Sequence, residues 1–219
     1  MTVVTFCEPA TSMSEAAVLP PGKRELTKVA NRQAILDAAR EVFGELGYET
    51  ATVRDIIRRT GLAAGTFYNY FKSKDEVYVA LASEGARQFA PLLKAQRAQS
   101  ADWEEFVRAA IEAYYLFLAD AHKSWLSQRP PGEIQPHVHG ETPEMAAVFN
   151  EVREAIVEEI ARGGAPAADP DYVAAACIAI ARDVGEKMLA RRPIDVRGAT
   201  DFAVAMIQGG LKALPQAEA

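Results

Sequence analysis

Between Gly47 and Lys74 the chain carries two short apolar segments divided by a glycine, and this spacing constrains the fold more than any other feature. Thr52-Val53-Arg54-Asp55 has the hydroxyl-x-x-carboxylate spacing of a capped first helical turn, and Val53, Ile56 and Ile57 supply a buried face of two turns before Gly61. After Gly61-Leu62, the stretch Ala63 to Phe71 predicts a third short helix, which Lys72-Ser73-Lys74-Asp75 closes while capping a fourth. Upstream, Ile35, Ala38, Ala39, Val42, Phe43 and Leu46 recur at helical spacing, one stripe ending at Gly47, where a left-handed C-cap is expected. Helix, tight glycine-containing turn, helix is the helix-turn-helix pattern.

Beyond Asp75 the periodicity stays helical in longer segments, expected at about 76–98, 102–121, 143–162, 170–190 and 197–213. Pro130-Pro131-Gly132 and Pro136 mark an irregular stretch from about 129 to 142, and Gly163-Gly164-Ala165-Pro166 and Arg192-Pro193 mark shorter breaks. No segment alternates with a strand's period. The expected fold is therefore all-α: a helix-turn-helix unit over 23–75 and a larger helical body over 76–219. Residues 1–22, with three prolines and no Lys or Arg, read as a disordered tail in which Met13 is a second possible start.

That tail lacks the charged start and apolar middle of a secretory signal. The longest uncharged run in the apolar segments, Tyr172 to Ala181, is far too short to span a bilayer, so no membrane partner is expected. Two cysteines, Cys7 and Cys177, are too few and too badly placed for a disulfide framework, and a cytoplasmic location is expected. The net charge of −6 looks wrong for a nucleic-acid binder until it is divided along the chain. Residues 23–75 carry +3 and residues 76–219 carry −7, which permits phosphate binding at one end without general adhesiveness.

On the third helix, residues 67 and 71 lie one above the other, so Phe67 and Phe71 can turn inward while Gly65 and Tyr68 share a neighbouring outward face. A glycine there allows close backbone approach to a groove wall, and Tyr70 and Lys74 offer a hydroxyl and a charge suited to phosphate oxygens. No Arg, Gln or Glu lies between Ala63 and Phe71, so the bidentate Arg–guanine contact is absent from this helix. Specificity is expected from Ala64, Thr66 and Tyr68 against methyls and single base-edge groups, and from DNA shape.

YETATVRDIIRRTGLAAGTFYNYFKSKDEVYVAL, residues 48–81, with FGELGY closing the preceding helix, resembles the DNA-binding segment of tetracycline-repressor-type (TetR-family) transcriptional regulators. The resemblance implies that Thr52, Asn69, Tyr70 and Lys74 meet phosphates, with Lys23, Arg24 and Lys28 adding backbone contacts, while Ala64, Gly65, Thr66 and Tyr68 approach bases. It further implies a body that binds a small molecule and dimerises through its last two helices. Two residues depart from the family pattern: Ala63 stands where a polar cap is common, and Ile57 where a small residue is preferred.

The body offers little catalytic chemistry. His137 and His139, beside Glu133, Glu141 and Glu144, could hold Zn²⁺, but no third ligand is placed, so neither a metal nor a cofactor is expected. No Ser-His-acid spacing, nucleotide-binding glycine loop or Cys-x-x-Cys occurs, and no catalytic residue is assigned. For a ligand pocket the candidates are Phe89, Trp103, Phe106, Tyr114, Tyr115, Leu118, His122, Trp125, Met145 and Phe149. For a homodimer interface, segments 170–190 and 197–213 carry Tyr172, Ala175, Ala176, Ala179, Ile180 and Gly185, and Phe202, Ala203, Met206, Ile207 and Gly210. The expected protein is a homodimeric repressor that binds a palindromic double-stranded DNA operator and is released by a small apolar or amphipathic effector. The alternatives are a metal sensor or metalloenzyme built on the His137/His139 loop, and a ligand-independent architectural DNA binder.

Overall fold

The computed structural model describes residues 22–121, 142–163 and 168–214, and these form eight α-helices and no strand. In chain order they are α1 (Lys23–Leu46), α2 (Val53–Thr60), α3 (Ala64–Tyr68), α4 (Lys74–Gln99), α5 (Trp103–Ala121), α6 (Pro143–Ala161), α7 (Pro170–Leu189) and α8 (Val196–Ala213). Apart from Gly22, the expected tail lies outside the described residues, as do His122, Trp125, His137 and His139.

α1 begins well before its apolar stripe, because Lys23 to Ala30 are exposed and show no one-sided pattern. It ends at Gly47 with φ 77° and ψ 160°, a positive-φ conformation essentially restricted to glycine but outside the left-handed helical well that was expected. Gly61, at φ 68° and ψ 4°, does adopt the left-handed conformation, which turns the chain sharply from α2 toward α3. Thr52 and Asp55 form the expected reciprocal cap: the Asp55 amide donates to Thr52 Oγ1, and the Thr52 amide donates to the Asp55 carboxylate at 3.0 Å. Ala63 gives α3 no side-chain cap. α3 is one short turn, shorter than the expected 63–71, and the chain continues through turns to Phe71.

Two apolar cores divide the molecule. One gathers Ile35, Leu36, Ala39, Val42, Phe43, Ile56, Phe67, Phe71 and Val77 from α1 to the first turn of α4. The other gathers Phe89, Leu93, Trp103, Phe106, Tyr115, Ile156, Met188, Ala203, Val204 and Ile207 from the rest of α4 and from α5 to α8. The division falls within α4, which runs through both units and continues past Pro91, an exposed position where the lost backbone donor leaves a carbonyl to solvent. Ionic ties fasten the body around this helix: Arg97 of α4 meets Glu151, Glu154 and Glu158 of α6, at 2.9, 3.2 and 2.5 Å.

Candidate functional site

The outward face of α3 is open. Ala64, Gly65, Tyr68 and Asn69 are exposed, Thr66 and Tyr70 are half-buried, and Phe67 and Phe71 are buried beneath them against α1 and α2. A side-chain carbon added at Gly65 would meet nothing within 4 Å, so packing inside the chain does not require glycine there. Tyr68, at 57% exposure, is a large aromatic held out to solvent. Thr52 is exposed, but its hydroxyl is engaged in the α2 cap.

Lys74 is held within the chain. Its ammonium donates to the carbonyls of Tyr48, Glu49 and Ala51 at 2.8, 3.2 and 3.2 Å and lies 4.4 Å from the Tyr48 ring centroid. With three donors on three carbonyls, this charge fastens α4 to the turn between α1 and α2. The Tyr48 hydroxyl donates to Asp75 beside it, and burial with that carboxylate pushes the phenol pKa up while the bond holds the Asp75 carboxyl below its ordinary value. The exposed cations Arg54, Arg58 and Lys72 remain around α2 and the end of α3.

A cavity of about 500 Å³ runs along α4, within the range usual for small-molecule sites. One end is walled by Arg40 and Phe43 of α1, Tyr48 of the following turn, and Tyr78, Leu81, Glu84 and Gln88 of α4. Farther along lie Phe89, Leu93, Trp103, Phe106, Val107, Ile111, Val152 and Ile207. From Tyr78 to Leu93, both on the wall, the helix rises about 22 Å, so the cavity extends along α4. Arg40, Glu84 and Gln88 make its first end polar, and the rest of the wall is largely apolar, with Arg182 and Tyr114 as polar exceptions.

Of the expected pocket residues, Phe89, Trp103, Phe106, Tyr114, Leu118 and Met145 line this cavity. Tyr115 and Phe149 do not: Tyr115 is fully buried in the body core, with its ring against Gly185, and Phe149 packs on the outside of the same core. Burial pushes the Tyr114 phenol up to about 12 and the Cys177 thiol, also on the wall, up to about 11, so both are neutral walls at physiological pH. The sequence reading missed Arg40, Phe43 and Tyr48, because it assigned residues 23–75 wholly to the helix-turn-helix unit, and it missed Tyr78 and Glu84 because it sought the pocket among the apolar residues farther along the body. Among the described residues no group of three or more potential ligands could hold a metal ion.

The expected dimer face is also redistributed. Ala203, Ile207 and Gly185 are buried within the chain, while Tyr172, Phe202 and Met206 stand 78%, 58% and 51% exposed on α7 and α8 beside open Ala175, Ala176 and Gly210.

Residues 35–81 match the model of the bacterial regulatory proteins of the tetR family. That segment is of the tetR family. The Fatty acid metabolism regulator protein of Bacillus subtilis (strain 168) is 34% identical over 88 residues, 40% of this chain and 45% of that one. The chain thus spans less than half of that relative's length. The HTH-type transcriptional activator FasR of Mycolicibacterium smegmatis is 27% identical over 193 residues, 87% of each chain. In fold, the chain is similar to the regulator FadR from Bacillus subtilis, solved in complex with stearoyl-CoA. The TM-score is 0.61 and the identity 19%, covering 84% of this chain and 99% of that one. No described helix is long and apolar enough to cross a membrane.

Proposed function

We propose that the protein is an intracellular, homodimeric repressor whose operator affinity falls when a long-chain acyl compound fills the α4 cavity. The observation that carries this reading is the shared wall: residues of the DNA-binding unit and of the body line one cavity, so its occupant touches both. A cavity that extends along α4, with a charged pair at one end and a largely apolar wall beyond it, suits an extended amphipathic chain. The stearoyl-CoA bound by the Bacillus FadR, and the fatty-acid role in the name of the B. subtilis relative, point the same way.

On the DNA side, Ala64, Gly65, Thr66 and Tyr68 approach base edges in the major groove, and Asn69, Tyr70, Thr52 and Lys72 meet backbone phosphates. Two copies joined through the exposed faces of α7 and α8 present two α3 helices to the half-sites of a palindrome, spaced about one DNA turn of 34 Å. α4 carries the signal. Its first turn is latched to the DNA-binding unit through Lys74 and Asp75, and its remainder walls the cavity, so a shift of the helix moves α3 as well.

The test begins with DNA selected from a random pool by the purified protein, followed by titration of the recovered operator with and without palmitoyl-CoA. A palindromic site whose affinity falls on addition of the thioester supports the reading, and a reporter driven through that site gives the sign of regulation. Recovery of DNA without a preferred palindrome, or affinity indifferent to every acyl compound, overturns it.

A further inference from the structure

We infer that the polar end of the cavity is a reader of anionic head groups, in which Arg40 exchanges its partner Glu84 for the acid group of the effector. The inference rests on the acyl-effector reading above and names what that reading leaves open, the atoms that recognise the head.

Arg40 lies on α1, in the DNA-binding unit, and Glu84 lies on α4; the two are ion-paired across the junction and both face the cavity. Their side chains keep only 29% and 14% of their exposure, so the pair is largely withdrawn from water and sensitive to any competing charge. Arg40 is also held by Asp37 at 2.5 Å, which fixes the guanidinium whether or not Glu84 is bound. Glu84 has a second arginine within reach, the exposed Arg87 one turn along α4, at 3.9 Å. A carboxylate or phosphate arriving at the cavity end can therefore take the Arg40 fork while Glu84 swings to Arg87, and no charge is stranded. Farther along the cavity, Phe89, Leu93, Phe106, Val107, Ile111 and Ile207 are apolar, and of the two arginines on the wall, Arg40 and the exposed Arg182, Arg40 is the one paired across the junction, which orients the chain with its acid group there. The exchange gives the ligand a direct effect on DNA binding, because the broken pair is one of the ties between α1 and α4.

The experiment compares palmitate and hexadecanol, equal in chain and different in head charge, by calorimetric titration of the full-length protein. Two single variants are included. Arg40→Gln should weaken palmitate at least roughly tenfold and leave hexadecanol unchanged, since a charge-assisted bond is lost from one ligand only. Glu84→Gln should act in the opposite direction, tightening palmitate several-fold by removing the competitor and leaving hexadecanol alone. Because the two shifts oppose each other, a variant that merely unfolds cannot imitate the pattern. Equal weakening of acid and alcohol by Arg40→Gln, or no change for either variant, overturns the head-group assignment while leaving acyl binding in place. Failure of the native protein to bind palmitate, hexadecanol or palmitoyl-CoA overturns the acyl reading itself and this inference with it.

Discussion

The two cores of this molecule are built on opposite principles. The amino-terminal core draws on residues 35 to 77, is filled by Phe67, Phe71, Ile56 and Val77 at 5% exposure or less, and is pinned by short polar latches. The carboxy-terminal core draws on residues 89 to 211 and supplies most of the wall of a cavity of about 500 Å³, which Arg40, Phe43 and Tyr48 of the head complete. A tightly packed unit transmits displacement without absorbing it, whereas a hollow one can change shape when filled. On the proposed reading this difference divides the work: the body receives a ligand, and the head moves as one piece with α4.

The largest expected effect sets packing in one core against packing in the other. Phe67→Ala removes a ring at 1% exposure from the filled core and should cost about 3–5 kcal/mol, enough to abolish operator binding. Ile111→Ala enlarges a wall that already faces open space and should fall near the low end, about 2 kcal/mol, with operator binding kept. Urea unfolding measures both. Trp103 is buried in the body core, so its indole fluorescence follows that unit while circular dichroism follows both. Equal costs would remove the contrast between filled and hollow.

Next comes the latch. Lys74→Met removes three ammonium–carbonyl bonds at a half-buried site and should destabilise the head by about 1.5–3 kcal/mol, leaving the salt dependence of DNA binding unchanged. Lys72→Ala should do the converse, costing little stability and lowering the slope of log affinity against log salt by about one. If Lys74→Met flattens the slope instead, its ammonium reaches phosphate on binding and the latch is secondary.

Filling the cavity should do less to stability and more to response. Ala110→Leu projects extra carbons into the cavity and should raise stability by about 0.5–2 kcal/mol. Operator affinity should persist while release by palmitoyl-CoA is lost, which gel-shift titration would show. A variant that still releases DNA would place the effector elsewhere.

What could be learned from sequence follows the same division. Gly61, the Thr52–Asp55 cap and the inward pair Phe67 and Phe71 are local signals, set by residues within a few positions of one another, and the structure forms them as expected. The long body helices were equally legible, because each buries one face at helical period. The cavity was only half legible. Phe89, Phe106 and Tyr114 announce an apolar interior, but periodicity cannot distinguish a ring that packs, such as Tyr115, from one that borders a void. Arg40 and Glu84 carry no local signal at all, since a pairing across 44 residues depends on how α4 docks. The latch formed by Lys74 was illegible for a related reason: its three backbone acceptors come together only once the α1–α2 turn is folded.

The smallest expected effect concerns the uncapped start of α3. Ala63 sits at φ −66° and ψ 145°, an extended geometry that suits a capping residue, yet it has no side-chain acceptor. Its carbonyl already accepts from the Thr66 amide at 2.8 Å, so a serine hydroxyl introduced there would serve chiefly the amide of Gly65. One of the two usual capping partners being occupied, Ala63→Ser should stabilise the head by about 0.5–1 kcal/mol, the lower part of the range for such caps. The gain should appear in the head alone, because α3 touches the body at no point of the cavity wall. Steadier seating of α3 also reduces the ordering required on DNA, so operator affinity should rise by a few-fold with no change in palmitoyl-CoA affinity for the free protein. Thermal unfolding and operator titration of the single variant measure the two effects. A rise in stability with weaker operator binding would mean that the α3 start must yield to fit the groove, and that the head is less rigid than its filled core implies.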